Sequence, residues 1–180
     1  MTPLQKIITK SLKRDRRAQG ELYRRFAPYA LAVIRRYGVA ARSEADLLQE
    51  IFIEVFAKLD RFDAAKGAFN TWLRALTVFR IIDHQRKTHR YDTVTLDAVP
   101  EPAADDLMNF PPDYLLSLIA NLPPGYRTVF NLFAIEGYSH QQISEMLGIT
   151  AAGSRSQYHR ARGLLQRAVI QHKKKVADAS

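Results

Sequence analysis

The chain has 180 residues, no cysteine, 47% hydrophobic and 10% aromatic residues, and a net charge of +9. That length allows one domain or two small ones, the apolar content excludes wholesale disorder, and the missing cysteines exclude a disulfide scaffold or a cysteine-ligated zinc site. No apolar run approaches the ~20 residues that cross a bilayer, and residues 1–20 lack the apolar core of a secretory signal, so a cytoplasmic protein without membrane insertion is expected.

Helical periodicity runs through almost the whole chain. Leu4, Ile7, Ile8 and Leu12 mark a short first helix wrapped in basic residues. Leu22, Phe26, Tyr29, Val33, Ile34 and Tyr37 mark a second, ending at Gly38, with Pro28 expected to kink or divide it. Ser43 is the expected cap of a third helix, with Asp46 completing a capping box. Its buried stripe is Leu47, Leu48, Ile51, Phe52, Val55, Phe56 and Leu59; Asp46, Gln49, Glu50, Ile53, Glu54 and Ala57 fall on the other side. A turn over residues 60–67 leads to a fourth helix starting at Asn70 or Thr71, containing Trp72, Leu73, Leu76, Phe79, Ile81 and Ile82.

Thr93 to Pro112 has four prolines, three aspartates and one glutamate without helical period, and reads as a linker. It divides the charge. Residues 1–92 hold 19 Lys/Arg against 10 Asp/Glu, residues 93–120 hold five acids and no base, and residues 121–180 hold eight bases against three acids. Two basic lobes joined by an acidic strap suit two contacts with a polyanion; solvated basic faces are the alternative.

After the linker, Asp113 to Leu122 is a short helix broken by Pro123 and Pro124, and the next runs from Pro124 or Gly125 through Glu136. Ser139 and Gln142 form a capping box ahead of Ile143, Met146 and Leu147; Gly148 suits a left-handed stop, and Thr150 caps a further helix. That last helix carries Arg155, Gln157, His159, Arg160 and Arg162, the arrangement of a helix-turn-helix lying in the major groove, with an ordinary helical hairpin as the alternative. A polar end from Lys173 is expected to fray. The fold class is therefore all-α: two small helical domains, residues 1–92 and 113–172, joined by a flexible acidic linker over 93–112 and followed by a tail over 173–180.

Two separated blocks resemble one family. The first is Glu44 to Phe52, then Leu59-Asp60-Arg61-Phe62 and Phe69-Asn70-Thr71-Trp72-Leu73. The second is Leu122-Pro123 through Glu136-Gly137-Tyr138-Ser139, then Ile143 to Gly148 and Arg160-Ala161-Arg162. Together they resemble the small, extracytoplasmic-function group of bacterial RNA polymerase sigma factors, over residues 20–90 and 113–168. The resemblance implies a region-two domain that binds core polymerase and opens the minus-ten element. It also implies a region-four domain that binds the minus-thirty-five element. Expected partners are core RNA polymerase, promoter DNA and an anti-sigma factor.

Carried over position by position, the resemblance implies core-polymerase binding by Asp46, Gln49 and Glu50. It implies minus-ten contacts by Lys66, Asn70, Arg74, Arg80, Arg86 and Lys87. Minus-thirty-five contacts fall to His140, Gln141, Arg155, Ser156, Gln157, His159 and Arg160, with His140 and Gln141 on backbone phosphate. The stretch from Arg61 to Asn70 matches a loop that receives a flipped base; Phe62 and Trp72 read as core, and Phe69 is left open. The chain departs from the family with Ala75 and Phe79, where relatives commonly carry arginine and asparagine. Phe133 replaces a common arginine, and Gln157 a common basic residue. No histidine has metal-ligand spacing, and no phosphate loop or nucleophile motif occurs, so no metal, cofactor or catalysis is expected. The alternative function is a stand-alone helix-turn-helix regulator, which has no use for the block around Asp46.

Overall fold

The computed structural model describes residues 2–88 and 112–178, all helices and turns, with no strand among the described residues. They separate into two compact units, one ending at Thr88 and one after it. The expected linker over 93–112 lies almost wholly outside the described residues.

The first unit holds α1 (Pro3–Leu12), α2 (Arg16–Arg36), α3 (Ala41–Ala57), a 3-10 turn (Leu59–Arg61) and α4 (Phe69–Thr88). Thr2 begins α1 with a capping box: its side chain accepts from the Gln5 amide while the Gln5 side chain accepts from the Thr2 amide. Asp15 caps α2 by accepting from Ala18 N–H at 3.0 Å, so this helix starts six residues ahead of its first large apolar residue. Pro28 lies inside the uninterrupted α2 on its exposed side. The carbonyl it leaves without an intrahelical donor can turn toward water there, so the helix is not divided as expected. Ser43 does not cap α3: the helix begins at Ala41 behind Ala40, which offers no side-chain cap, and Ser43 sits in the first turn.

Helices α2, α3 and α4 pack on one another and α1 lies against α2. Leu22, Ile34, Tyr37, Leu47, Ile51, Val55, Leu73, Val78 and Ile81 form the sealed interior. Burying each such aliphatic side chain is worth about 1.5–3 kcal/mol. The Gln85 side chain ties α4 to the end of α2, donating to the Tyr37 carbonyl at 3.1 Å.

The second unit holds α5 (Pro112–Ala120), α6 (Pro124–Phe130), a π-helical turn (Asn131–Ile135), α7 (His140–Leu147) and α8 (Ala151–Asp178). Its core cluster of Ile119, Leu122, Ala161 and Leu165 joins α5 and the turn after it to α8. The expected long helix to Glu136 loosens into the π turn, closed by Glu136 N–H donating to Asn131 C=O at 2.9 Å. At the other end α8 runs to Asp178, through the segment expected to fray.

Candidate nucleic-acid interface

Asp46, Gln49 and Glu50 are all exposed on α3, one helical turn from end to end. The other two acids of this helix are occupied. Glu44 pairs with Arg35 at 2.9 Å, and Glu54 is held by both Lys58 and Arg80. Burial works to raise the Glu54 carboxyl, but the hydrogen bonds from Lys58 and Arg80 outweigh it and hold the group below the ordinary carboxylate range. Asp46 and Glu50 have no ion pair to a described residue, so their charge is available to a partner. Between them and the C-terminal end of α3 stands Ile53, 70% exposed. The helical period placed it on this outward side, but the sequence-based site omitted it. A large apolar residue ringed by polar groups is the composition of a protein-binding patch.

The loop before α4 is shaped by Asp63, which accepts from the Ala65 amide at 2.9 Å and from the Lys66 amide, through its carbonyl, at 3.0 Å. Gly67, at φ 154°, takes a conformation that L side chains rarely adopt. Lys66 and Asn70 are exposed at its rim. Behind the loop lies an aromatic cluster: Phe69 meets Phe26 at 4.6 Å, Phe62 at 5.2 Å and Trp72 at 5.5 Å between ring centroids. Phe69, left open by the sequence, is its buried centre; Phe62 and Trp72, read as core, are half-buried at its edge.

Along α4 the basic residues divide. Arg86 and Lys87 are exposed near its C-terminal end, and Arg74 is half-buried. Arg80 is bound to Glu54, so its guanidinium joins α3 to α4 instead of standing free for DNA. Phe79, grouped by the sequence with the apolar residues of α4, is 51% exposed.

In the second unit the helix-turn-helix has the expected local chemistry. Ser139 accepts from the Gln142 amide at 3.2 Å, the Gln142 side chain accepts from the Ser139 amide at 2.8 Å, and Gly148 closes α7 at φ 68°. Thr150 accepts from the Gly153 amide at 2.9 Å to start α8. Arg155 and His159, one turn apart, are exposed, with Ser156 partly exposed beside them. Gln141 is exposed on α7 and donates to Glu145 at 3.2 Å.

Gln157 and Arg160 face the other way. Gln157 is 8% exposed and Arg160 9%. They share the inward stripe of α8 with Ser154 and Ala161, a helical repeat that turns them from any groove. The Gln157 side chain lies over Gly125, where an added Cβ would come within 3.1 Å of its Oε1. Arg160 donates to the Tyr126 hydroxyl at 3.2 Å. Both expected base contacts are instead braces between α6 and α8.

His140 is also diverted. Its ring stacks on Phe133 (4.2 Å, 11° between planes), and its Nδ1 is 2.9 Å from Ser154 Oγ. Burial lowers its pKa, and the nearby charges of Arg155 and His159 lower it further. These contacts tie α7 to α8 and to the π turn, and the lowered pKa favours the neutral ring over the imidazolium. Phe133, noted only as a lost arginine, supplies the stacking surface.

Among the described residues no cluster of His, Asp and Glu is arranged to hold a metal ion, and no helix is long and apolar enough to cross a membrane.

These surfaces can be set beside known proteins. Residues 22–91 match the Sigma-70 region 2 family and residues 113–165 match Sigma-70 region 4. The chain is 30% identical over 139 residues to the ECF RNA polymerase sigma factor SigW of Bacillus subtilis, covering 68% of this chain and 73% of that one. It is 29% identical over 173 residues to the ECF RNA polymerase sigma factor SigE of Mycolicibacterium smegmatis, covering 89% of this chain and 65% of that one. Among solved structures it is similar to the sigma factor RpoE of Bartonella quintana, determined in complex with the anti-sigma factor NepR. That match has TM-score 0.48 and 19% identity, over 84% of this chain and 96% of that chain. With two region matches in family order and relatives aligned across both units, the chain belongs to the extracytoplasmic-function sigma factors of RNA polymerase.

Proposed function

We propose that this chain binds core RNA polymerase through α3, directs it to promoters, and helps open the minus-ten element. The observation that carries the reading is the pairing of two outward faces on separate units. One is the α3 face of Asp46, Gln49, Glu50 and Ile53; the other is the α8 face of Arg155, Ser156 and His159. A stand-alone regulator needs only the second. The α3 face combines two uncommitted carboxylates with an exposed aliphatic side chain, which suits a basic partner surface with an apolar notch.

Minus-thirty-five reading falls to Arg155, Ser156 and His159, with Gln141 beside them; an arginine there can pair bidentately with guanine. Minus-ten contacts fall to Lys66, Asn70, Arg86 and Lys87, with the half-buried Arg74 behind them and Arg80 holding the scaffold. Such a subunit contributes binding energy and leaves nucleotide chemistry to the polymerase. It works in the cytoplasm, and an anti-sigma factor covering the α3 face would silence it.

The test is affinity for core polymerase. Asp46→Ala/Glu50→Ala and Ile53→Ala should each weaken binding at least tenfold, with an unchanged circular dichroism melt; native affinity in both variants would remove α3 from the interface. Unchanged binding of promoter duplex by the same variants would confine the loss to the polymerase contact.

A further inference from the structure

Residues 6–25 carry eight Lys and Arg against two acids, Asp15 and Glu21, and none of the surfaces above uses them. In α1, Ile7, Ile8 and Ser11 are buried, while Lys6, Lys10 and the C-cap residue Lys13 are exposed. At 3.6 residues per turn the three lysines fall within about 60° of arc, opposite the buried stripe. They form one line of charge directed away from the core.

Two further cations stand where the fold's own physics disfavours one: Arg14, next to Lys13 in the chain, and Arg17, which with Lys10 is a charged neighbour of Asp15. Arg14, exposed, has φ 60° and is the one non-glycine residue with positive φ among the described residues. Its amide donates to Ser11 C=O at 3.0 Å and the Asp15 amide donates to Lys10 C=O at 3.2 Å. These are the two bonds of a Schellman motif, with Arg14 at the place that glycine normally takes. Elsewhere this chain puts glycine in the same left-handed conformation, at Gly38 (φ 69°) and Gly148 (φ 68°). An arginine there meets a steric penalty that glycine avoids. Arg17, exposed, stands in the first turn of α2, which contains no acidic residue, so it opposes the positive end of the helix dipole. Asp15 offsets only part of this charge: its carboxylate accepts from the Ala18 amide and feels Lys10 and Arg17, one acid against the five cations Lys6, Lys10, Lys13, Arg14 and Arg17. Charges kept against local preference point to a use outside the fold.

We propose that Lys6, Lys10, Lys13, Arg14 and Arg17 form a surface that binds the phosphate backbone of duplex DNA without regard to sequence. A membrane-surface helix lies on an exposed apolar face. Here Ile7 and Ile8 are already spent on α2, and Leu12 alone among the large apolar residues of α1 is exposed. What remains is charge. Duplex DNA carries one charge per about 1.7 Å of axis, so a helix of ten residues, about 15 Å long, can meet several phosphates. The surface would add affinity and encounter rate to promoter binding while carrying no base information.

The experiment measures how the full chain's affinity for duplex DNA depends on salt, by fluorescence anisotropy on a promoter duplex and on a scrambled duplex. Variants are Arg14→Gly, Arg14→Lys and the triple change Lys6→Gln/Lys10→Gln/Lys13→Gln, each with a thermal melt and a core-affinity measurement. The slope of log affinity against log salt should fall by about 0.9 for Arg14→Gly and about 2.7 for the triple variant, equally on both duplexes. Arg14→Lys should keep the native slope. Arg14→Gly should melt at or above the native temperature, because glycine suits that backbone, so it decides the matter even if the triple variant folds poorly. Core affinity should stay native in both, which separates this surface from the α3 interface. Native slopes in folded variants would overturn the proposal, as would a loss confined to the promoter duplex. Lysine-dependent binding to vesicles containing phosphatidylglycerol, with DNA slopes unchanged, would reassign the surface to a membrane.

Discussion

Arg155 and Gln157 stand two positions apart on α8, and the helix turns them in nearly opposite directions. Arg155 is exposed beside His159, while Gln157 is packed over Gly125. Their substitutions should therefore separate recognition from stability. Arg155→Ala should cost about 1–3 kcal/mol against the preferred minus-thirty-five base. Competition binding with single-base variants of that element checks it, and a uniform loss over all sequences would make the residue a phosphate contact. Gln157→Ala should leave base preference intact and lower the stability of the second unit by about 1 kcal/mol, read in a urea melt. His140 adds a pH dependence whose sign follows from its lowered pKa. The unfolded chain takes up a proton at about pH 6.5, before the folded one does. Its stabilising contribution is thus complete above that value and is lost as pH falls from there toward the lower folded-state pKa. His140→Gln should flatten this part of the stability profile of the second unit, measured by melts between pH 5 and about pH 8. A profile identical to the native one would remove His140 as its source.

At the scale of elements, the sequence was most legible where backbone needs are met by a specific local residue. The Ser139–Gln142 capping box, the left-handed Gly148 and the Thr150 cap each satisfy orphan groups at a helix end, and each stands where the spacing put it. Ser139→Ala should lower stability by about 1 kcal/mol through the loss of that cap. Hydrogen exchange at the amides of α7 would register it ahead of those of the core. The start of α3 was misread because no side chain caps it: Ala40 precedes the helix, and the nearest good capping residue, Ser43, lies one turn inside. The inner face of α8 was misread for a different reason. Its first three turns are packed by Ser154, Gln157, Arg160 and Ala161, with the half-buried Tyr158 ring against Phe130 and Phe133, so the stripe is mostly polar or small before Leu164 and Leu165. Polar residues used as packing have no periodic hydrophobic signature, and a functional motif will claim them by default. Arg80 misled in the same way, because its partner Glu54 lies 26 residues upstream and only packing of α3 on α4 brings them together. Ile53, by contrast, was on the outward side of the helical wheel; an isoleucine there was the available signal for a protein contact.

Over the whole molecule, the charge pattern of the chain finds two different uses. The second unit exposes Arg155 and His159 on α8, the face proposed to read DNA, and the first exposes Asp46 and Glu50 on α3, the face proposed to bind polymerase, and a cationic line on α1. The acidic α3 face and the basic surfaces of the same unit suit partners of opposite sign, which keeps DNA from competing for the polymerase contact. Two-site promoter binding then gains from effective concentration, since capture by one unit raises the local concentration of the other at its own element. Loss of either face should consequently reduce initiation far more than it reduces the affinity of the remaining unit for its own ligand.

The most direct measurement is run-off transcription by purified core polymerase on a promoter duplex selected for binding to this chain. Product is expected only when the chain is added, with at least a tenfold fall for Asp46→Ala/Glu50→Ala or for Arg155→Ala. Sequence-specific binding of that duplex without any core-dependent transcript would contradict it and leave the chain a DNA-binding protein of another kind.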